Sequence, residues 1–377
     1  MTESPAVEHI MMTTDTIGGV WTYVMELSRG LCGRGMHITL AAMGDEPSDE
    51  QLAEAEAIDG LEMFARPYAL EWMQDPWEDL AEAAGWLSEL AHRHRPELVH
   101  LNTLAHGGLA WDVPVLTVGH SCVLSWFEAV KGHPAPPEWD RYRDLVRDSF
   151  RASDMVAAPS ASMMQTFQRH YGPLENTRVI YNGRNPEEFP PGDKEPCVMT
   201  AGRLWDEAKN VQAVAQAAKQ IEWPVYVAGS QTHPDGGTVE LEGVEQLGRL
   251  DSDELARWYG RSMIYALPAR YEPFGLTALE AALAGNALVL GDIATLREIW
   301  GEAALFVDPE QPDQLAETIN TLIADPERLE WLANRARSRA LQFSVETKVD
   351  HYMELYGEMC PDSPAPYDEF PQPGGRA

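Results

Sequence analysis

The sequence predicts an α/β protein built as two doubly wound halves that face each other across a cleft. Three observations carry this. Short apolar runs alternate with helical patterns along nearly the whole chain. The alternation breaks at residues 186–196, a stretch rich in Pro and acid, and then restarts. The 377 residues suit two or three domains at roughly 150 residues each. Strands separated by helices imply parallel pairing, since a parallel neighbour needs a crossover connection.

The elements follow in order. Residues 9–12 read as a first strand, and 20–31 carry apolar side chains at helical spacing. Gly33-Arg34-Gly35 reads as the stop of that helix. Residues 38–42 form the second strand, and 77–92 an amphipathic helix. Further buried runs lie at 98–101, 113–118, 155–158 and 179–181. Residues 186–196 read as a linker. After it come strands at 197–201, 225–228, 263–267, 287–290 and 304–307. The domains expected are 1–190 and 191–343, with 361–377 a Pro-rich disordered tail. No tandem repeat has a fixed period.

Composition excludes several classes. Hydrophobic residues make up 44% and charged residues 23%, as in an ordinary globular chain. No apolar run reaches the roughly 18 residues of a membrane span. Residues 1–8 are acidic and lack the basic segment of a signal peptide, so a cytoplasmic location is expected. Four dispersed Cys form no CxxC, which disfavours a zinc ribbon or a disulfide scaffold. The net charge of −32 repels nucleic acid and anionic bilayers at long range. A high-salt habitat and a plain soluble acidic surface both fit that charge.

Three segments carry candidate chemistry. Gly18 and Gly19 lie between a strand and a helix, where backbone N–H groups can approach an anion; a tight turn is the bland alternative. Arg203 and Lys209 follow a strand in a chain with only five lysines, and such cations at a strand end suit a diphosphate. Pairing with Asp206 or Glu207 is the competing explanation. Residues 267–285 run strand, loop, helix: Phe274, Gly275, Leu276 and Thr277 form the helix start, which can take phosphate on free N–H groups. Glu272 and Glu280 flank that start, eight positions apart, and could each accept sugar hydroxyls. Asp251-Ser252-Asp253 precedes a helix, and capping explains it better than a metal. No His/Cys cluster suggests a metal site. Trp21, Trp126, Phe127 and Trp139 could form an aromatic platform, although such residues are more often core.

The order of these signals resembles the GT-B retaining glycosyltransferases of family 4 (glycosyltransferase group 1). Their E-x7-E signature matches Glu272 through Glu280, their glycine loop Gly18-Gly19-Val20, and their phosphate-binding Arg and Lys match Arg203 and Lys209. Ser160 and Asn182-Gly183 fit the family's serine and hinge positions. The resemblance runs from about residue 9 to 356. It departs in two places. Arg203 and Lys209 are six apart, one more than usual, with Asn210 where glycine is common. The hinge reads Asn182-Gly183-Arg184-Asn185, where an apolar residue and Asp are common.

The resemblance implies two Rossmann-like domains, with a last helix over 344–360 that crosses back to the first. It implies a nucleotide-diphospho sugar donor, with UDP favoured, and a saccharide or small-molecule acceptor. It implies transfer with retention and without a metal or other cofactor. His120 would border the sugar, Glu272 would bind its hydroxyls and Glu280 the ribose; His106 competes with His120 for its place. His92, His94 and His100 are read as structural. Other GT-B chemistry, such as a sugar-nucleotide epimerase or a phosphorylase, and a non-catalytic sugar-nucleotide binder are the alternatives.

Overall fold

The computed structural model describes residues 7–231 and 239–361. The expected tail beyond Pro361 and most of the acidic N-terminal segment lie outside the described residues. Two parallel sheets organise the chain. The first holds β1 (His9–Asp15), β2 (His37–Met43), β3 (Leu61–Ala65), β4 (Leu98–Leu101), β5 (Val115–Val118), β6 (Met155–Ala158) and β7 (Thr177–Val179). Its order is β3-β2-β1-β4-β5-β6-β7. The second holds β8 (Glu195–Ala201), β9 (Val225–Ala228), β10 (Glu245–Gly248), β11 (Ser262–Leu267), β12 (Ala287–Gly291) and β13 (Leu305–Val307). Its order is β10-β9-β8-β11-β12-β13.

The central strands are apolar at nearly every position because helices cover both faces of each sheet. β4 and β5 are buried throughout, and β11 at five of its six positions. Two strands escape the sequence reading, β3 and β10. Both are edge strands with one neighbour, and their half-exposed residues give no continuous apolar run. β7 lies at Thr177–Val179 rather than 179–181. Ile180 still bonds the end of β6 through its N–H, to Ala158 O at 3.0 Å, but Tyr181 turns edge-on to Phe343 and leaves the ladder. The 186–196 segment is more ordered than a linker: Pro186–Glu188 forms a 3-10 turn capped by Asn185, and β8 begins at Glu195.

The chain passes between the sheets near Arg184 and returns near Ser344. The two passages touch: Arg184 N–H bonds Phe343 O at 3.1 Å, and Arg184 and Ser344 form a β-bridge. Gly183 permits this, since a Cβ there would stand 2.1 Å from Ser344 O. The returning helix Val345–Met359 then packs on the helix Gly19–Cys32 of the first half. Val349, Tyr352, Leu355 and Tyr356 join the core under β1, β4 and β5. His100, on β4, bonds Tyr356 Oη at 2.7 Å, and burial pushes its pKa down to about 3.

Topology fixes where a ligand can lie. In each sheet the chain winds one way from one strand and the other way from its neighbour, and a crevice opens beyond their carboxyl ends. The reversal falls between β1 and β4 in the first sheet and between β8 and β11 in the second. The loops after these four strands carry Gly18, Asn102, Arg203 and Glu272.

Candidate functional site

The two crevices meet. Gly18, at φ 89, ends the loop after β1 and caps the helix Gly19–Cys32. A Cβ on Gly18 would lie 3.5 Å from Arg203 Nη1, so the glycine loop faces the arginine of the other half. Gly19 has open space beside it. Arg203 is about half exposed and pairs with Asp206 at 2.9 Å. Asp206 also accepts from Ala208 N at 3.0 Å and from Trp126 Nε1 at 3.4 Å.

Lys209 reaches the same crevice in spite of the extra residue. Two successive turns, Asp206 N to Arg203 O and Lys209 N to Asp206 O, take up the length. Asn210 follows in the left-handed region at φ 55, which Asn tolerates better than most residues. Its Nδ2 donates to Pro268 O and Pro309 O at 2.9 and 2.7 Å, which explains Asn where glycine would serve the backbone alone. Lys209 Nζ lies 2.5 Å from Glu272 Oε2. Glu272 Oε1 accepts from Phe274 N at 3.4 Å. The helix Leu276–Leu283 starts at Gly275, with no side chain capping its free N–H groups. Thr277 lies in its first turn, half-buried. The Phe274 ring is buried against Phe343, so only its backbone can face the crevice.

Glu280 is buried in the same helix and pairs with Arg184 Nε at 3.0 Å. Arg184 Nη1 also donates to Glu26 Oε1 at 2.6 Å, and Lys348 Nζ lies 3.6 Å from Glu26 Oε2. These four charges come from both halves, the hinge and the returning helix. Burial raises the Glu280 pKa and Arg184 opposes that. Burial lowers Lys348 to about 8 in spite of Glu26. Burial also works against the Arg184 charge, but Glu280 and Glu26 outweigh it and its pKa is raised.

His120, after β5, is held by Asn102 Oδ1 at 2.8 Å and lies edge-on to Tyr23. Asn102 Nδ2 donates to Thr13 O at 2.8 Å, which leaves its Oδ1 to accept from His120 Nε2. Nδ1 of His120 is then an acceptor. Burial, with Lys348 second, pushes the His120 pKa down to about 3, so the ring is neutral at pH 7. His106, after β4, is buried; its Nε2 lies 3.4 Å from Leu80 O, and burial pushes its pKa down to about 4.

The remaining expectations sort simply. Asp251 caps the helix Ser252–Arg261 in a capping box with Glu254. Trp21 is core, with its Nε1 on Glu54 at 2.8 Å. Trp126, Phe127 and Trp139 form one half-buried aromatic group beside Asp206. Among the described residues no cluster of three or more His, Cys, Asp or Glu could hold a metal, and no helix is long and apolar enough to cross a membrane.

The sequence marks Arg184 only as a hinge departure and gives no sign of its pairing with Glu26, nor of a clasp between the halves. Glu298 accepts from Ala161 N and Ser162 N at 2.7 Å each, from Ser162 Oγ at 2.6 Å and from Tyr181 Oη at 3.0 Å. It thus places a negative charge on the N-terminus of the helix Ala161–Tyr171. Ser160 Oγ donates to Pro273 O at 3.0 Å, Tyr271 Oη meets Ser125 Oγ at 2.8 Å, and Lys131 pairs with Glu207 at 2.8 Å. Hydrogen bonds to a charged group are worth about 1.5–3 kcal/mol. Glu298→Ala is therefore expected to lower unfolding stability by about 2–3 kcal/mol. Denaturant titration checks this, and an unchanged midpoint would show that the clasp contributes nothing.

Comparison with known proteins follows the same two halves. Residues 17–188 match the family model described as Glycosyltransferase Family 4, and residues 195–325 match Glycosyl transferases group 1. The chain is 27% identical to the glycogen synthase of Mycobacterium tuberculosis over 95% of its own length and 96% of that protein's. It is 25% identical to the D-inositol 3-phosphate glycosyltransferase of Xylanimonas cellulosilytica, over 93% and 94%. Among solved structures it is similar to sucrose-phosphate synthase from Thermosynechococcus elongatus, with TM-score 0.78, 19% identity and coverage of 93% and 98%. It is also similar to Anabaena HepE in complex with UDP-glucose, with TM-score 0.73, 19% identity and coverage of 93% and 99%. These structural likenesses show the two-domain fold.

Proposed function

Since the chain belongs to the family 4 (group 1) glycosyltransferases of GT-B fold, which take their sugar from a nucleotide donor, we propose that it moves a sugar from a UDP-sugar to a saccharide or other small hydroxylic acceptor, with retention and without a metal or other cofactor. One observation carries this reading. Arg203, Lys209 and the uncapped start of the Leu276–Leu283 helix converge at the crevice, with Glu272 and Glu280 on either side.

The chemistry follows from those positions. The two cations and the helix N–H groups hold the diphosphate and take up the charge that grows on it as the bond from the sugar's anomeric carbon breaks. Glu272 orients Lys209 with one carboxylate oxygen, and the other, which takes a long bond from Phe274 N, would accept a hydrogen bond from a sugar hydroxyl. Glu280, fixed by Arg184, takes the ribose hydroxyls. His120 is neutral, so it hydrogen-bonds a sugar hydroxyl through Nδ1 and does not act as a general acid. The acceptor oxygen bonds the anomeric carbon on the face the diphosphate leaves, and its proton passes to the departing phosphate oxygen. That route gives retention and needs no nucleophile from the protein. UDP is favoured because the HepE structure to which the chain is similar holds UDP-glucose.

A thermal-shift panel of UDP-, GDP- and ADP-sugars, with and without magnesium, tests the donor. A nucleotide at 100 times its Kd adds about 2.7 kcal/mol of stability. A shift with UDP-sugars that is indifferent to magnesium is expected. A shift confined to GDP- or ADP-sugars would reassign the base, and a flat panel would favour a non-catalytic role.

A further inference from the structure

The crevice of the first half carries charges that the donor site does not use. Asp15 ends β1, and its carboxylate accepts from Ile17 N at 2.9 Å. Glu71 lies in the connection after β3 and is 5% exposed. Its Oε1 accepts from Leu104 N, just beyond β4, at 3.0 Å, while its buried Oε2 has no partner. Thr103, the residue before Leu104, is 3% exposed, and its Oγ1 has no partner either. Asn102 binds the ends of β1 and β4 together through Thr13, with two bonds of 2.8 Å. The charged groups that act on Asp15 are Glu71, which works against its charge, and Arg203, which favours it. Asp15 thus feels both the buried acid and the donor's arginine, in the crevice where an acceptor meets the sugar.

From this geometry, and resting on the transferase reading above, we propose that Asp15, Glu71 and Thr103 form the acceptor subsite and that it selects a neutral, hydroxyl-rich acceptor over one that bears a phosphate. Glu71 Oε2 and Thr103 Oγ1 both have unfilled hydrogen-bonding capacity, which sugar hydroxyls would satisfy. A phosphate would have to lie against two carboxylates. No cation acts on Glu71, and the cation beside Asp15 is Arg203, which the diphosphate engages. His120, after β5, is neutral. Burial raises both carboxyl groups, Asp15 to about 7, so the repulsion of a phosphate by Asp15 grows above that pH. The likeness to a D-inositol 3-phosphate glycosyltransferase and to a sucrose-phosphate synthase makes the choice between neutral and phosphorylated acceptors a direct one.

The test uses the full chain with the nucleotide sugar that the thermal-shift panel identifies. Nucleotide release is followed with glucose, maltose and myo-inositol, and with glucose 6-phosphate and myo-inositol 1-phosphate. Transfer to at least one neutral probe, at least 50-fold faster than to any phosphorylated probe, is expected. Glu71→Gln, and independently Thr103→Val, should raise the acceptor KM at least tenfold and leave the donor KM unchanged. A purely structural role would shift the melting temperature or both KM values together, and that result counts against the subsite. Faster transfer to a phosphorylated probe overturns the proposal. So does donor hydrolysis by the wild type with no transfer to any neutral probe. If the wild type neither binds nor hydrolyses any nucleotide sugar, the transferase reading itself fails and the subsite falls with it.

Discussion

Lys209→Met is expected to lower kcat by about 100- to 1,000-fold, the usual effect of removing one preorganised donor from a developing oxyanion. The ammonium acts on the leaving diphosphate, whose charge is greatest in the transition state. Its loss should therefore appear in kcat more than in the donor KM. The methionine keeps most of the side-chain volume, so packing changes little. What the variant leaves behind is Glu272, a nearly buried carboxylate whose partner stood at 2.5 Å. That should cost about 1–3 kcal/mol of stability, which a folded domain of this size tolerates. Steady-state kinetics beside a thermal melt separate the two effects. Lys209→Arg keeps the charge and should recover part of kcat. Full activity in a well-folded Lys209→Met protein would remove the lysine from the mechanism.

Arg184→Met is expected to act on stability first, by about 3–5 kcal/mol, the range for breaking a buried ion pair by removing one partner. Arg184 and Lys348 balance Glu26 and Glu280 in the wild type. Without Arg184, two buried carboxylates share one lysine that lies 3.6 Å from Glu26. Glu280 is already raised by burial and held back by Arg184, so the variant raises it further. A carboxyl raised on folding binds its proton more tightly in the native state. The stability this provides is present at low pH and is lost as pH rises past the ordinary carboxylate range. The deficit of Arg184→Met should thus be smaller at pH 5 than at pH 8, as denaturant titrations at the two values can show. Adding Glu26→Gln should restore part of the loss. Equal deficits at both pH values would mean that the cluster does not behave as a coupled charge network.

What was legible in the sequence follows the physics of burial. Strands such as Leu98–Leu101 and Val225–Ala228 are covered on both faces, so their apolar runs stand out against helical neighbours. Leu61–Ala65 and Glu245–Gly248 pair on one side only and keep polar or half-exposed positions, so nothing marks them in the linear text. Of the candidate site, Arg203, Lys209, Glu272 and Glu280 stand out in the sequence because cations are scarce here and the two acids flank a helix start. Arg184, Glu26 and Lys348 do not, because their partnership exists only after the hinge and two helices from distant parts of the chain come together. A signal was present all the same. Glu26 interrupts the buried helical stretch from Tyr23 to Leu27, where an acid needs a cation nearby. Asp15 and Glu71 were hidden for the same reason: a strand-end acid and a loop acid look like surface charge until the fold buries them beside the loops after β1 and β4.

Proton NMR of the first sugar released or transferred from an α-linked nucleotide sugar tests the central claim most directly. The α-anomer should appear before mutarotation, with its rate cut by Lys209→Met. A β-anomer as the initial product would contradict departure and attack on one face, and release without any dependence on Lys209 would contradict the assigned diphosphate site.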